Sequence, residues 1–259
     1  MRYCGGKQRI SKDISSVLNE QLKEGQPFVD LFCGACNIIS KIDDNRLRIA
    51  NDKHKYLISM WKALQEGWEM PNTISREEYF YIKNHKDENK PLTGFVGFGC
   101  SVMGRWMDDS TYAEDKTGRN YCLNAKNSNL KILPKIQDVV FYNLDYKDVE
   151  IPIGSLVYCD IPYKNTKQYS IKEVGKFNHD EFYQWVRDNS NIYDIYISEY
   201  KDNIPNDFQI VWEKNTKKSA RQIGKDNKTR FETEVLIKYK NNIWLHIYTP
   251  GNLSKLMIK

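Results

Sequence analysis

The feature that most constrains this chain is a recurring unit, a short apolar run that closes on an acid and then breaks into a turn or a helix. "QPFVDLFCGA" reaches Asp30 and breaks at Gly34, and "RLRIANDK" ends on Asn51-Asp52. "VVFYNLDY" runs to Asp145-Tyr146, "SLVYCDI" to Asp160, and "YDIYISEY" to Ser198-Glu199-Tyr200. Runs of this length read as buried strands. Their alternation with segments of helical period predicts an α/β chain with a parallel sheet. "FQIVWEK" and "ETEVLIKYK" follow as an antiparallel pair that closes the sheet. Ligands of open parallel sheets sit beyond the carboxyl ends of the strands, so these acids are expected to converge on one crevice.

Helical period accounts for much of the rest. In "SKDISSVLNEQLKEG", Ile14, Val17, Leu18 and Leu22 share a face and Gly25 is a stop. His54 to about Gln65 carries Leu57, Ile58, Trp61 and Leu64 on one side. "SREEYFYIKNH" opens with a capping box, Ser75 with Glu78. Then comes "LTGFVGFGCSVMGRWMDDSTYAEDKTGRNY", rich in glycine and aromatics and without a clear period, which reads as long functional loops or a subdomain. The expected organisation is a core of residues 1–60 and 135–259, interrupted by an inserted region, 61–134. Residues 241–259 receive no role.

Bulk properties narrow the class. The 259 residues carry a net charge of +5, with 40% apolar and 28% charged residues. That suffices for a sizeable core, and the mild basicity is only weak support for a nucleic-acid partner. Residues 1–25 have no apolar stretch of the signal-peptide kind, and no run of ~18 apolar residues suggests a membrane span. A cytoplasmic protein is expected. Six scattered cysteines read as reduced thiols; Cys33 and Cys36 form a C-x-x-C without a second pair. His54, His85, His179 and His246 have no metal spacing, so no metal is expected.

The strand ends carry the chemistry. Asp52 lies 18 residues after Gly34, and an acid there suits ribose hydroxyls. The loop "FCGAC" has neither a G-x-G-x-x-G cradle nor a P-loop lysine, which disfavours a pyrophosphate and leaves a nucleoside. "VYCDIPYKN" sets a carboxylate, a backbone carbonyl and an aromatic face at a strand end. These are the groups an extruded adenine would need: Asp160 and the Ile161 carbonyl accept from the exocyclic amine, Pro162 fixes the turn, and Tyr163 stacks. The same residues would also serve as a plain turn.

Taken together, these segments resemble the Dam-type adenine-N6 DNA methyltransferases, including the phage and prophage enzymes. The ordered likeness runs from "RYCGGKQRI" through "FVDLFCGA", "ANDKHKYLI", "LDYKDV" and "LVYCDIPYKNT", roughly residues 1–240. The resemblance implies a Rossmann-like methyltransferase sheet, mostly parallel with a terminal antiparallel strand, plus an inserted target-recognition subdomain. It implies S-adenosylmethionine as cofactor and double-stranded DNA as partner. Tyr3 and Lys7 would flank the cofactor, and Asp30, Phe32 and Gly34 would shape its methionine pocket. Asp52 would hold the ribose, and Asp145 with Tyr146 the cofactor adenine. Asp160, Ile161, Pro162 and Tyr163 would act on the target base. Ile161 departs from the family, which usually has proline there, and Cys36 stands where glycine is frequent.

"FGCSVMGRWM" and "GRNY" resemble the recognition part of some members. Arg105, Trp106 and Arg119 are the candidate DNA contacts, since arginine can fork onto guanine or phosphate and an aromatic can wedge. A small subdomain core with surface charges is the competing reading. The lysines of 215–230 could grip phosphates. Other substrates for the same core would be RNA or a protein glutamine. Ile161 would suit a DNA-binding protein with a decayed active site.

Overall fold

The computed structural model describes residues 3–114, 118–164, 170–217 and 231–240. The strands are β1 (Phe28–Asp30), β2 (Arg48–Asn51), β3 (Val140–Tyr142), β4 (Leu156–Cys159), β5 (Asp194–Tyr200), β6 (Phe208–Lys217) and β7 (Phe231–Tyr239). They form one seven-stranded sheet in the order β3-β2-β1-β4-β5-β7-β6. The first five are mutually parallel, while β7 runs antiparallel to both β5 and β6. This is the expected Rossmann-like sheet. The chain winds outward from β1 through β2 to β3, then returns to start again at β4 beside β1. That reversal makes β1/β4 the switch point, where ligands of open α/β sheets bind.

Register carries the acids to one rim. Asp30 lies level with Ala50 and Tyr158, and Cys159 with Ile197. Asp52, Asp160 and Glu199 therefore all emerge near the carboxyl edge. Because β7 is antiparallel, its beginning lies at that edge, and Glu234 pairs with Tyr200.

Strands β1, β2 and β4 are buried throughout, as parallel strands covered on both faces must be. Alternation splits their side chains between two cores. Phe28, Ala50, Leu156, Tyr158 and Tyr196 join one cluster; Val29, Ile49, Val157, Cys159 and Ile197 join the other. Over the first face lie α1 (Ser11–Gln21) and α2 (Lys55–Gln65), with α3 (Arg76–Asn84), α4 (Lys90–Gly99) and α5 (Tyr121–Ile132) arriving between β2 and β3. The short α6 (Ile171–Val174) precedes α7 (His179–Asn189), which buries Phe182, Tyr183 and Val186 in the second cluster. No helix among the described residues is long and apolar enough to cross a membrane.

The glycine-rich stretch read from sequence as loops contains a helix, α4. It is hydrophobic nearly all round and buried from Thr93 to Gly99. Its glycines permit close approach rather than unusual torsions. A Cβ on Gly94 would lie 2.1 Å from the Tyr56 carbonyl oxygen, and one on Gly97 2.3 Å from the Trp106 ring. Glycine's helix penalty, ~1 kcal/mol relative to alanine, is offset here by helix–helix contact that no larger residue allows. The capping box at Ser75 is formed in both directions. Residue 61, where the inserted region is read to begin, lies inside α2, and Phe95, Trp106 and Met107 share a hydrophobic cluster with Phe28 and Tyr158.

Candidate active site

The chain before α1 is held at three points, two on the rim and one on the segment after α4. The Tyr3 ring lies against Gly34, where a Cβ would meet it at 3.0 Å, and packs on Phe98 with centroids 4.9 Å apart. The Cys4 N–H donates to Gly104 O at 2.9 Å. Lys7 is buried and places its ammonium 2.8 Å from Asp160 and 3.7 Å from Glu234. Lys7 thus sits on the predicted catalytic acid, and Tyr3 on the predicted cofactor loop.

Gly34 turns that loop with φ +46°. Its N–H donates to Asp52 at 3.0 Å, its carbonyl accepts from the Trp61 indole at 3.0 Å, and Asp52 also accepts the His54 N–H at 2.9 Å. Burial raises Asp52 to a pKa of about 6, opposed by the N–H groups of His54 and Gly34. Two residues on, Cys36 holds φ +55°, a left-handed conformation costly for any residue but glycine. Asn51 bonds the carbonyls of Leu31 and Leu144 at 3.1 and 3.2 Å, lacing the exits of three strands together. Asp30 is buried, with Oδ1 unpartnered among the described residues. Burial, then Asp160, pushes its carboxyl well above the usual range.

Beside this loop stands an aromatic wall. Phe32 lies 5.7 Å from Tyr146, 5.8 Å from Phe177 and 5.9 Å from Phe182, centroid to centroid. Asp145 pairs with Lys53 at 2.8 Å; burial would raise its carboxyl, but Lys53 and the Lys147 N–H hold it below the usual range.

Asp160 follows β4 at the switch point. Burial raises it to about 6 against the pull of Lys7, with Glu234 and Glu199 adding to the rise. Burial alone would discharge Lys7, but Asp160 and Glu234 hold its pKa above the usual value. Strand alternation continues through the motif: Asp160 faces Lys7, while Ile161 turns into the second core at 2% exposure. The family's departure at 161 thus coincides with a buried position that a large apolar side chain fills. Ile161 precedes a proline, which itself biases residue 161 toward extended backbone. His179 Nε2 lies 2.7 Å from the Pro162 carbonyl, to which the ring donates. Tyr163 is buried, its hydroxyl donating to Glu234 at 2.7 Å, with the Lys7 ammonium 4.2 Å from the ring centroid and Tyr200 edge-on at 4.5 Å. It is enclosed rather than an open platform.

Sequence reasoning placed Glu199 at the rim without giving it a role, and did not assign Glu234, His54, Phe177 or His179 to the site. Glu199 is fully buried and accepts from the N–H groups of Lys164 at 3.1 Å and Tyr200 at 2.8 Å, and from Asn203 at 3.1 Å. It lies one residue before the end of β5, where the strand-end rule that selected Asp160 also pointed. Glu234 required knowing that β7 begins at the rim. His54 is buried against Tyr56, Phe98 and Trp106, and burial lowers it to about 3.

The candidate DNA contacts separate. Arg119 is exposed, and Arg105 is half-buried with its guanidinium beside Cys4. Trp106 is fully buried, stacked on Tyr56 with centroids 5.4 Å apart, so it packs the inserted region and does not face solvent. Of the lysine-rich stretch, residues 218–230 lie outside the described residues, as do 241–259. The described residues contain no metal-binding cluster.

A doubly wound sheet with acids, an aromatic wall and a glycine turn near its switch point defines a Rossmann-like fold whose ligand site is expected beyond the carboxyl ends of the strands. Residues 3–186 match the model of the D12 class N6 adenine-specific DNA methyltransferases, and the chain belongs to that family, as an adenine-specific DNA methyltransferase. Among solved structures it is similar to the rRNA methyltransferase aviRa from Streptomyces viridochromogenes. That likeness has 10% identity and a TM-score of 0.40 over 92% of this chain and 87% of the other. It is also similar to SMU.472 in complex with SAH, at 12% identity and a TM-score of 0.34 over 93% of this chain and 56% of the other.

Proposed function

We propose that this chain transfers a methyl group from S-adenosylmethionine to N6 of an adenine extruded from duplex DNA, with Asp160 and the Ile161 carbonyl orienting the amine. The observation that carries this is the placement of Asp160, half-buried at the β1/β4 switch point and 2.8 Å from the buried Lys7 ammonium.

The residues present fit the cofactor. Both Asp52 oxygens accept a backbone N–H, yet an ionised carboxylate has about four acceptor sites, leaving capacity for two ribose hydroxyls. The unpartnered Asp30 oxygen suits an ammonium such as that of the methionine end. Phe32 and Tyr146 would flank a purine, with Asp145 beside it. Bound there, the cofactor supplies an electrophilic methyl on a sulfonium.

The chain's own groups then have defined tasks. An exocyclic amine donates its N–H to Asp160 and to the Ile161 carbonyl, which restores lone-pair density to nitrogen. Asp160 accepts most strongly as the carboxylate, and at a pKa of about 6 it is mostly ionised at neutral pH. Lys7 keeps it ionised in its buried setting. His179, bonded to the Pro162 carbonyl, holds the adjoining peptide. Stacking by Tyr163 on the base requires its ring to leave Lys7 or to use its other face. Arg105 and Arg119 are the DNA-facing candidates that remain near the surface. Attack is direct, and the buried Cys159 takes no part.

The test is incubation of the protein with unmethylated DNA and labelled S-adenosylmethionine, then mapping of modified adenines. Label in N6-methyladenine is expected. Asp160→Ala should keep cofactor binding and lose transfer; transfer retained by that variant would overturn the assignment.

A further inference from the structure

One corner of the inserted region grips the chain that returns from the catalytic motif. Lys86, between α3 and α4, sets its ammonium 2.7 Å from Asp108 and 2.6 Å from Glu173. The three side chains are only 22%, 13% and 11% exposed, so the charges are screened far less than surface pairs are. Asp108 and its neighbour Asp109 lie in the turn after α4, whereas Glu173 lies in α6. Asp109 accepts the Ser170 N–H at 2.7 Å. Ser170 holds φ +62°, a strained conformation for serine that persists only where its surroundings impose it.

Both ends of this contact are firmly held. Thr93 donates to the Lys86 carbonyl at 2.7 Å, and Lys83 reaches the carbonyls of Met107 and Ser110. Beyond α6, Gly175 turns the chain with φ +77° toward Phe177 in the aromatic wall and His179 on the Pro162 carbonyl. A continuous path of ion pair, short helix and hydrogen bond thus joins the inserted region to the backbone that presents the Ile161 carbonyl.

We propose that Lys86 is a positioning residue that couples the inserted region to the catalytic backbone, by holding Glu173 and so the Ser170–His179 segment that orients Pro162. The inference rests on the assignment of Asp160 and Ile161 given above. Without the ammonium, Asp108 and Glu173 face one another unneutralised. Their repulsion drives α6 from the inserted region and loosens the grip of His179.

The experiment measures single-turnover methyl transfer to unmethylated DNA, with S-adenosylmethionine affinity determined by calorimetry on the same preparations. Lys86→Met should slow transfer about tenfold while cofactor affinity stays within about twofold. Glu173→Gln should do the same. The double variant should be no slower than the slower single, because both remove one interaction. Lys86→Arg, which keeps the charge, should recover the rate to within about threefold of wild type. Rates that multiply in the double variant would overturn the coupling, as would cofactor affinity falling in step with rate. Wild-type protein that leaves no N6-methyladenine sinks the function itself; active wild type matched by an equally fast Lys86→Met sinks only the coupling.

Discussion

Replacing Lys7 with methionine isolates the electrostatic setting of the catalytic acid. The ammonium lies 2.8 Å from Asp160. At an effective dielectric of ~20, a pair at that distance attracts by ~6 kcal/mol before desolvation is counted. A cation this close typically lowers a carboxyl by ~1–3 pKa units. Asp160 stands at about 6 with Lys7 present, so its removal should carry the carboxyl to roughly 7–9. At pH 7.5 the ionised fraction then falls from about 97% to between about 75% and 3%. The assay is the single-turnover transfer rate across roughly pH 5.5 to 9.5, at saturating DNA and S-adenosylmethionine. Wild type should lose activity as pH falls through about 6. Lys7→Met should show the same limb displaced upward by ~1–3 units, with activity returning at alkaline pH. Breaking a buried pair from one side also costs ~3–5 kcal/mol of stability, so melting curves accompany the rates, and Lys7→Arg should restore both. An acid limb in the same place with and without the ammonium would refute the reasoning.

Other outcomes follow from single distances and burials. Asp160→Asn keeps an acceptor oxygen but loses the charge, and transfer should fall by ~100-fold, the scale of losing one preorganised electrostatic contact in an active site, with S-adenosylmethionine affinity preserved in calorimetry. Gly34→Ala forces a side chain to φ +46° and against the Tyr3 ring at 3.0 Å; cofactor affinity should drop, with a stability loss of ~1–2 kcal/mol by denaturant titration. Gly94→Ala places a methyl 2.1 Å from the Tyr56 carbonyl oxygen, and overpacking of that kind should cost ~1–3 kcal/mol or more. His54 is lowered to about 3 by burial. Between its unfolded pKa of ~6.5 and that value the unfolded chain binds the extra proton, so stability falls with falling pH by up to ~1.4 kcal/mol per unit. His54→Phe should remove that slope, seen as a widening stability advantage over wild type from pH 6 toward 4.

The parallel core was legible because β1, β2 and β4 are buried on both faces and read as unbroken apolar runs. The acids were legible because each ends such a run. Glu234 escaped the same rule: it begins a strand, and only the antiparallel insertion of β7 between β5 and β6 brings that beginning to the rim. Helix α4 escaped because glycine argues locally against helix, while its value at 94 and 97 lies in atoms of Tyr56 and Trp106 that are distant or unassigned in sequence. Trp106 illustrates the converse. An arginine–tryptophan pair suggests a surface that meets DNA, yet Gly97 opens a slot that takes the indole inside. Lys7 was read toward the cofactor; its pairing with Asp160 depends on the path of the chain before α1, which no periodicity reports.

The glycine seam between α2 and α4 bears on any attempt to re-aim the chain at another DNA sequence by exchanging the inserted region, here proposed to read it. Because α4 rests on the backbone of α2 at Tyr56, and α2 issues directly from Asp52, the inserted region is not a cartridge to be exchanged at its loop ends. A chimera that imports a foreign reader must import its own α2 or match that bare helical face atom for atom. Any misfit there is transmitted within one helical turn to the acid proposed to hold the ribose.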